Sequence, residues 1–216
     1  MHSFQEFYNV YKSSAGNTGE SYSDFTRTVA SLQQTNDTIA PKKNSECLIV
    51  IPAYTNRISE FEQINLKNNV EKLGKYFDIC IVCPKLLRAD VYNSIASGVE
   101  LQYLRLPSRN FIGKNSYSNM LLSVDFYKHF TAWKYILILQ LDAYIFGTAD
   151  DLKNFVAMNK TYIGAPWTKE YASSIGIPEE ACGNGGLSLR KVQRMIEILT
   201  PDTDLQRNER LKTVED

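Results

Sequence analysis

A chain of 216 residues with 44% hydrophobic content can bury one substantial core, alone or with an appended segment. Its 24 basic and 24 acidic residues balance, and no basic cluster is interleaved with aromatics, which excludes a nucleic-acid partner. Four cysteines are too few for a disulfide scaffold. Met1 to Val10 has no cationic start before an apolar core, and the longest apolar run is too short to cross a bilayer. A soluble protein is expected, cytoplasmic or peripheral to an inner membrane.

Residues 1–45 differ in texture from the rest. Phe4, Phe7, Tyr8 and Tyr11 fall at helical spacing, as do Phe25, Val29 and Leu32, and the polar stretch between them reads as a loop. A helical N-terminal extension is expected, packed on the main domain or on a neighbouring subunit of a homo-oligomer. From Cys47 the pattern becomes strand, helix, strand. C-L-I-V-I-P-A-Y is a continuous apolar run, as in a strand covered on both faces. Ser59 and Glu62 form an S-x-x-E capping box, opening a helix whose apolar stripe is Phe61, Ile64, Val70 and Leu73. The strand D-I-C-I-V-C follows, and its C-x-x-C (Cys80 and Cys83) reads as buried inert thiols, because structural zinc needs four ligands.

Next come a helix near Leu86 to Ile95, the strand V-E-L-Q-Y-L-R-L, and a helix over Lys114 to Phe130 with Tyr117, Met120, Leu121, Val124 and Tyr127 on one stripe. The strand Y-I-L-I-L-Q-L-D is then expected, followed by a helix with Asp150 and Asp151 in its N-cap and first turn. Ser188 is expected to cap a last helix carrying Val192, Met195, Ile196 and Leu199. Strands alternating with helices predict an α/β fold with a mainly parallel, open, doubly wound sheet. Ligands of such sheets bind at the carboxyl ends of the strands, which selects Pro52 to Arg57, Pro84 and Lys85, Leu106 to Ser108, and Gln140 to Tyr144. No G-x-G-x-x-G, phosphate loop or nucleophile elbow is present.

Within Tyr135 to Phe146 an apolar run is broken by one acid, Asp142. A carboxylate there caps a turn or meets a cation or donor, since burying it alone is costly. An acid at the end of an internal strand is well placed to hold magnesium or manganese against a diphosphate. The triplet is Asp142-Ala143-Tyr144, so the second acid of a D-x-D is replaced by tyrosine. G-N-G-G at Gly183 to Gly186 is either a turn before a helix or backbone that a ligand can approach closely. Asn184 adds an amide able to donate to and accept from sugar hydroxyls, and Trp167 offers either a core ring or a face for sugar stacking.

The order Q-L-D-A-Y, then Y-I-G-A-P-W, then G-N-G-G-L-S-L-R-K-V resembles a family of bacterial glycosyltransferase-like proteins with a GT-A, nucleotide-diphospho-sugar transferase fold, associated with surface-polysaccharide synthesis. The resemblance covers about Cys47 to the end, so the expected domain is 46–216, continuing beyond Asp216 in a longer chain. It implies that Pro52, Ala53, Tyr54 and Arg57 hold base and ribose. Gln140 and Asp142 would face the diphosphate, with Mn2+ or Mg2+ at Asp142. Trp167, Asn184, Gly185 and Gly186 would face the donor sugar or acceptor. Similar proteins carry an E-D pair after the last helix, one acid serving as base of an inverting transfer; here that pair is Glu215 and Asp216.

The expectation is a hexosyltransferase-like enzyme moving a sugar from a nucleotide-diphosphate donor to a hydroxyl of a glycan or lipid-linked acceptor in bacterial surface glycan synthesis. Two rivals stay open: a catalytically weak nucleotide- or sugar-binding domain, and a structural subunit of a larger assembly.

Overall fold

The computed structural model describes residues 39–96, 98–174, 176, 178 and 182–201. The expected N-terminal helices, with their two aromatic stripes, lie outside the described residues, and so do Glu215 and Asp216.

Six strands form one sheet in the order β3-β2-β1-β4-β6-β5. β1 (Cys47–Pro52), β2 (Asp78–Pro84), β3 (Leu101–Leu106) and β4 (Tyr135–Leu139) are parallel neighbours. β6 (Cys182–Lys191) runs antiparallel to both β4 and β5 (Tyr162–Pro166). The mainly parallel sheet flanked by helices that the sequence predicts is what the structure has. The central strands are buried from end to end, which explains their unbroken apolar runs.

The side chains of each strand alternate between two cores. One contains Ile49, Ile51, Ile81, Leu137 and Leu139 under α1 (Glu60–Leu73), α2 (Asp90–Ile95) and α5 (Ala149–Ala157). The other contains Leu48, Val50, Val82, Ile136 and Ile138 under α3 (Lys114–Leu121), α4 (Val124–Lys128) and α7 (Val192–Leu199). A short α6 (Lys169–Ser174) follows β5.

Several local expectations are corrected. The helix expected over Lys114 to Phe130 is two helices, because Ser123 takes an extended conformation and caps α4, accepting from Phe126 N. Thr148 caps α5, with Asp151 closing a capping box as its N3 residue. Ser188 lies inside β6, and G-N-G-G is strand rather than a turn before a helix. The largest departure is α1. Phe61 and Ile64, predicted to be on its apolar face, are 61% and 56% exposed, while Asn65 and Asn69 are 1% and 2% exposed.

Cys47, Cys80 and Cys83 are buried thiols, and burial pushes the Cys47 thiol far above its ordinary range. These three thiols are expected to resist an aromatic disulfide reagent in the native protein and to react after denaturation. Labelling of any of them under native conditions would place it outside the core. Gly74 ends α1 where a β-carbon would sit 2.6 Å from the Val70 carbonyl oxygen and 2.6 Å from Val99. Gly74→Ala is therefore expected to lower stability by about 1–3 kcal/mol, seen as a reduced denaturation midpoint.

Candidate functional site

The first and fourth strands are adjacent, but β1 leads into α1 on one face of the sheet whereas β4 is entered from α3 and α4 on the other. The crevice between their carboxyl ends is the switch point of this sheet. Because β5 runs in the same direction as β4, and β6 opposes both, Pro166, Gly183–Gly186 and Gln140–Asp142 all reach this one edge. The Gln140 amide donates to the Gly186 carbonyl at 2.9 Å, joining two of the three motifs directly.

A cavity of about 400 Å³ opens here, lined by Pro52, Tyr54, Glu62, Phe111, Ile112, Gly113, Lys114, Tyr117, Gln140, Leu141 and Asp142. Of the residues predicted from the sequence, Pro52, Tyr54, Gln140 and Asp142 therefore share one cavity. Ala53 is buried beneath it, its amide bound to the Val82 carbonyl at 2.9 Å. Arg57 is exposed and does not line it. The β1 loop is fastened from α2, where the Tyr92 hydroxyl donates to the Thr55 carbonyl at 2.6 Å and Asn56 accepts from Arg88 N at 2.9 Å.

Trp167 and Gly183–Gly186 lie at the same sheet edge but outside this cavity's lining. The Trp167 indole crosses Gly183, where a β-carbon would sit 3.1 Å from Nε1, and its ring centroid is 4.7 Å from that of Tyr171. One face of the indole is thus already engaged by protein. Asn184 pairs with Ala165 across a strand irregularity.

Three features escaped the sequence reading. The first is the fastening of the Asp142 loop, whose carbonyls belong to no ladder. Asn65 Nδ2 donates to Leu141 O at 3.0 Å, and Asn68 Nδ2 to Ile145 O at 3.1 Å. Asn69 donates to Ala143 O at 2.8 Å and accepts from Ile145 N at 2.9 Å, while Lys72 Nζ donates to Ile145 O at 2.7 Å. This polar stripe at positions i, i+3, i+4 and i+7 is what turns Phe61 and Ile64 outward. It was legible as N-x-x-N-N-x-x-K, a helical period written in amides instead of apolar residues.

The second is Tyr117. Its buried hydroxyl lies beside Gln140 without an aligned hydrogen bond, and burial pushes its pKa up, so it is a neutral donor at ordinary pH. The third is Arg190, 5% exposed, whose Nε donates to Ser188 Oγ at 3.0 Å and Nη1 to the Tyr127 hydroxyl at 2.7 Å. Nothing in the pattern of L-S-L-R separates it from a solvated strand-end cation.

A second cavity of about 360 Å³ lies on the other face, between α5, β5 and β6. Its walls include Leu73, Leu137, Phe146, Leu152 and Leu187; of its polar members, Thr148 and Asp151 are engaged in the α5 capping box and Ser188 Oγ donates to Gly185 O and accepts from Arg190 Nε. The switch-point cavity, where polar groups converge, is the better candidate for chemistry. Among the described residues no group of three or more His, Cys, Asp or Glu could hold a metal ion. Asp142 and Glu62 are hard oxygen donors lining one cavity, and Glu62 Oε2 already accepts from Ser59 N and Oγ. That set fits a magnesium- or manganese-type ion only if phosphate and water complete its shell. Among the described residues, no helix is long and apolar enough to cross a membrane.

The family model described as "Protein of unknown function (DUF5672)" matches residues 100–216. The chain belongs to this family. The matched span of this DUF5672 protein includes β3 to β6 and all three motifs, and begins after the β1 loop. No curated protein matches it in sequence. Among solved structures it is similar to core-mannan synthase A (CmsA/Ktr4) from Aspergillus fumigatus in an Mn/GDP form, at 9% identity and TM-score 0.48, covering 78% of this chain and 67% of that one. It is also similar to mannosyltransferase PcManGT from Pyrobaculum calidifontis in complex with GDP-Man and Mn2+, at 14% identity and TM-score 0.46, over 83% of this chain and 54% of that one. Mannosyltransferase Ktr4p from S. cerevisiae in complex with GDP overlaps at 11% identity and TM-score 0.45, over 92% and 76% of the two chains. The chain thus spans about half the length of the archaeal protein, and a shared activity does not follow from overlap at this level.

Proposed function

We propose that this DUF5672 protein is a GT-A-type glycosyltransferase that takes a nucleotide-diphosphate sugar. The carrying observation is that two strand-end loops, at Pro52–Tyr54 and Gln140–Asp142, line one switch-point cavity together with Lys114 and Tyr117. Such a cavity has apolar and aromatic surface for a base (Tyr54, Phe111, Ile112), a cation for a phosphate (Lys114), and a neutral donor for a phosphate or sugar oxygen (Tyr117).

In this reading the acceptor hydroxyl attacks the anomeric carbon, and the bond from that carbon to the diphosphate oxygen breaks. The hydroxyl proton passes to a carboxylate, for which Glu215 or Asp216 is proposed, giving inversion. Asp142, with Glu62 nearby, would hold a Mn2+ or Mg2+ ion whose chemistry is to neutralise the leaving diphosphate. Gln140 would orient that diphosphate, and Asn184, Gly185, Gly186 and Trp167 would face the sugar or acceptor. Assembly of bacterial surface glycans, a domain over 46–216, a homo-oligomer formed through residues 1–45 and a cytoplasmic location belong to the same proposal. An elution volume unchanged on removing residues 1–45 would count against that oligomer.

The test is incubation of the chain with radiolabelled nucleotide-diphosphate sugars. Release or transfer of labelled sugar is expected with at least one donor. The rival reading, a binding domain without turnover, is favoured by the single acid of Asp142-Ala143-Tyr144. It predicts retained donor and no release. Absence of both binding and release across donors would end the proposal.

A further inference from the structure

Arg190 is an unusual residue to find in the core of this fold. Its guanidinium is buried, yet among the described residues no carboxylate pairs with it. Its two hydrogen bonds go to neutral hydroxyls, those of Ser188 and Tyr127, and its centre lies 5.5 Å from the Tyr162 ring centroid. Hydroxyls and a ring face orient a cation without neutralising it, and a buried charge left uncompensated is costly.

The remaining terminal nitrogen, Nη2, lies against Gly185. A β-carbon there would sit 3.2 Å from it, so the glycine leaves that nitrogen uncovered on the side of the Gly183–Gly186 backbone. Neighbouring groups repeat the pattern. The Tyr117 hydroxyl is buried without an aligned partner, is within reach of the field of Arg190, and borders the switch-point cavity beside Gln140. Gln140 in turn is tied through its backbone to Gly186. A buried cation with no anionic partner among the described residues therefore lies beside Gly185, and its field reaches a buried hydroxyl whose neighbour, Gln140, is tied to the same glycine backbone.

We propose that Arg190 and the Tyr117 hydroxyl form an oxyanion subsite, entered past Gly185, that receives a phosphate or carboxylate group of the ligand. Nη2 of Arg190 supplies the charge and Tyr117 a neutral hydrogen bond, so the subsite works without a metal ion. It deepens the glycosyltransferase reading, on which it rests for its link to a nucleotide-diphosphate sugar. In that setting it takes either the diphosphate or the carboxylate of an acidic sugar. Arg190 is then a binding residue whose cost to the empty protein is offset when the anion arrives. The free protein should accordingly not depend on it. Without Arg190, the Tyr127 hydroxyl still donates to Leu121 O at 2.9 Å and Ser188 Oγ to Gly185 O at 3.3 Å, so neither is orphaned.

Titration calorimetry of the full chain in chelator, with inorganic pyrophosphate and separately with glucuronate, tests this, alongside thermal melting. The wild type should bind at least one of the two, and which one identifies the source of the oxyanion. Arg190→Met should weaken that binding at least tenfold with an unchanged or raised Tm. Gly185→Ala, which keeps the arginine and covers Nη2, should weaken it several-fold, and Tyr117→Phe by a smaller factor. Failure of the wild type to bind either probe, or wild-type affinity in both Arg190→Met and Gly185→Ala, overturns the subsite. So does a Tm loss of about ten degrees in Arg190→Met with wild-type affinity in Gly185→Ala, because that pair makes Arg190 a structural cation. The two claims fail separately. Nucleoside diphosphate bound equally by wild type and Arg190→Met removes the subsite and leaves the donor reading. Glucuronate bound through Arg190, with no nucleoside diphosphate bound, does the reverse.

Discussion

Asn69→Leu is expected to destabilise the protein by about 3 kcal/mol and to loosen the loop that carries Asp142. Asn69 is 2% exposed and reads the loop as another strand would, donating to Ala143 O and accepting from Ile145 N. Leucine of similar volume leaves both part-buried backbone groups without their partner, at about 1–3 kcal/mol each. Part of this is recovered as the loop moves toward water, which is why affinity should suffer with stability. Denaturant unfolding gives the first effect, and amide exchange across 141–146 measured well below the midpoint gives the second. Lys72→Ala removes two hydrogen bonds at the more exposed outer end of the same stripe, to Ile145 O and Phe146 O, and should give a smaller loss of both. Wild-type protection of 141–146 in Asn69→Leu would mean the loop is held by something other than α1.

The second large effect concerns charge at Asp142. A diphosphate brought to a carboxylate is repelled unless a cation or donors intervene. If a divalent ion bridges them, Asp142→Asn should weaken nucleoside-diphosphate binding by about tenfold to a hundredfold in manganese, about 1.4 kcal/mol for each factor of ten. In chelator the same change should leave affinity unaltered or improve it, since the repelling charge is gone. The bridging account predicts this opposite response in the two conditions. Equal affinity of both proteins in manganese and in chelator would make Asp142 an ordinary strand-end residue.

How far the sequence could be read depends on what each segment's neighbours are. β1 and β4 were legible because parallel strands covered on both faces must be apolar throughout, and C-L-I-V-I-P and Y-I-L-I-L say so locally. The switch-point rule then brought Pro52, Tyr54, Gln140 and Asp142 to one place without any side-chain information. Ser188 was misplaced, and the turn reading of G-N-G-G fails, because a glycine-rich run followed by an apolar stripe also fits a turn opening a helix. Only pairing with β4 and β5, distant in sequence, makes it a strand. The face of α1 was read wrongly for a related reason. Its buried amides answer carbonyls more than seventy residues away, so N-x-x-N-N-x-x-K marks a helical face without saying that this face is the buried one. Arg190 was missed on the same ground, since burial under Tyr127 and Tyr162 follows from tertiary packing alone. Local rules thus failed where polar groups had been carried into the interior, which is also where the candidate site lies.

The most direct measurement is hydrogen exchange of the wild-type protein with and without a saturating nucleoside diphosphate, in manganese, resolved along the chain. The account predicts added protection in three separated segments, 52–57, 111–117 and 140–142, which meet only at the carboxyl edge of β1 and β4. Protection confined to 144–155 and 163–165, around the apolar cavity on the opposite face, would contradict it, as would a bound ligand that left all three segments unchanged.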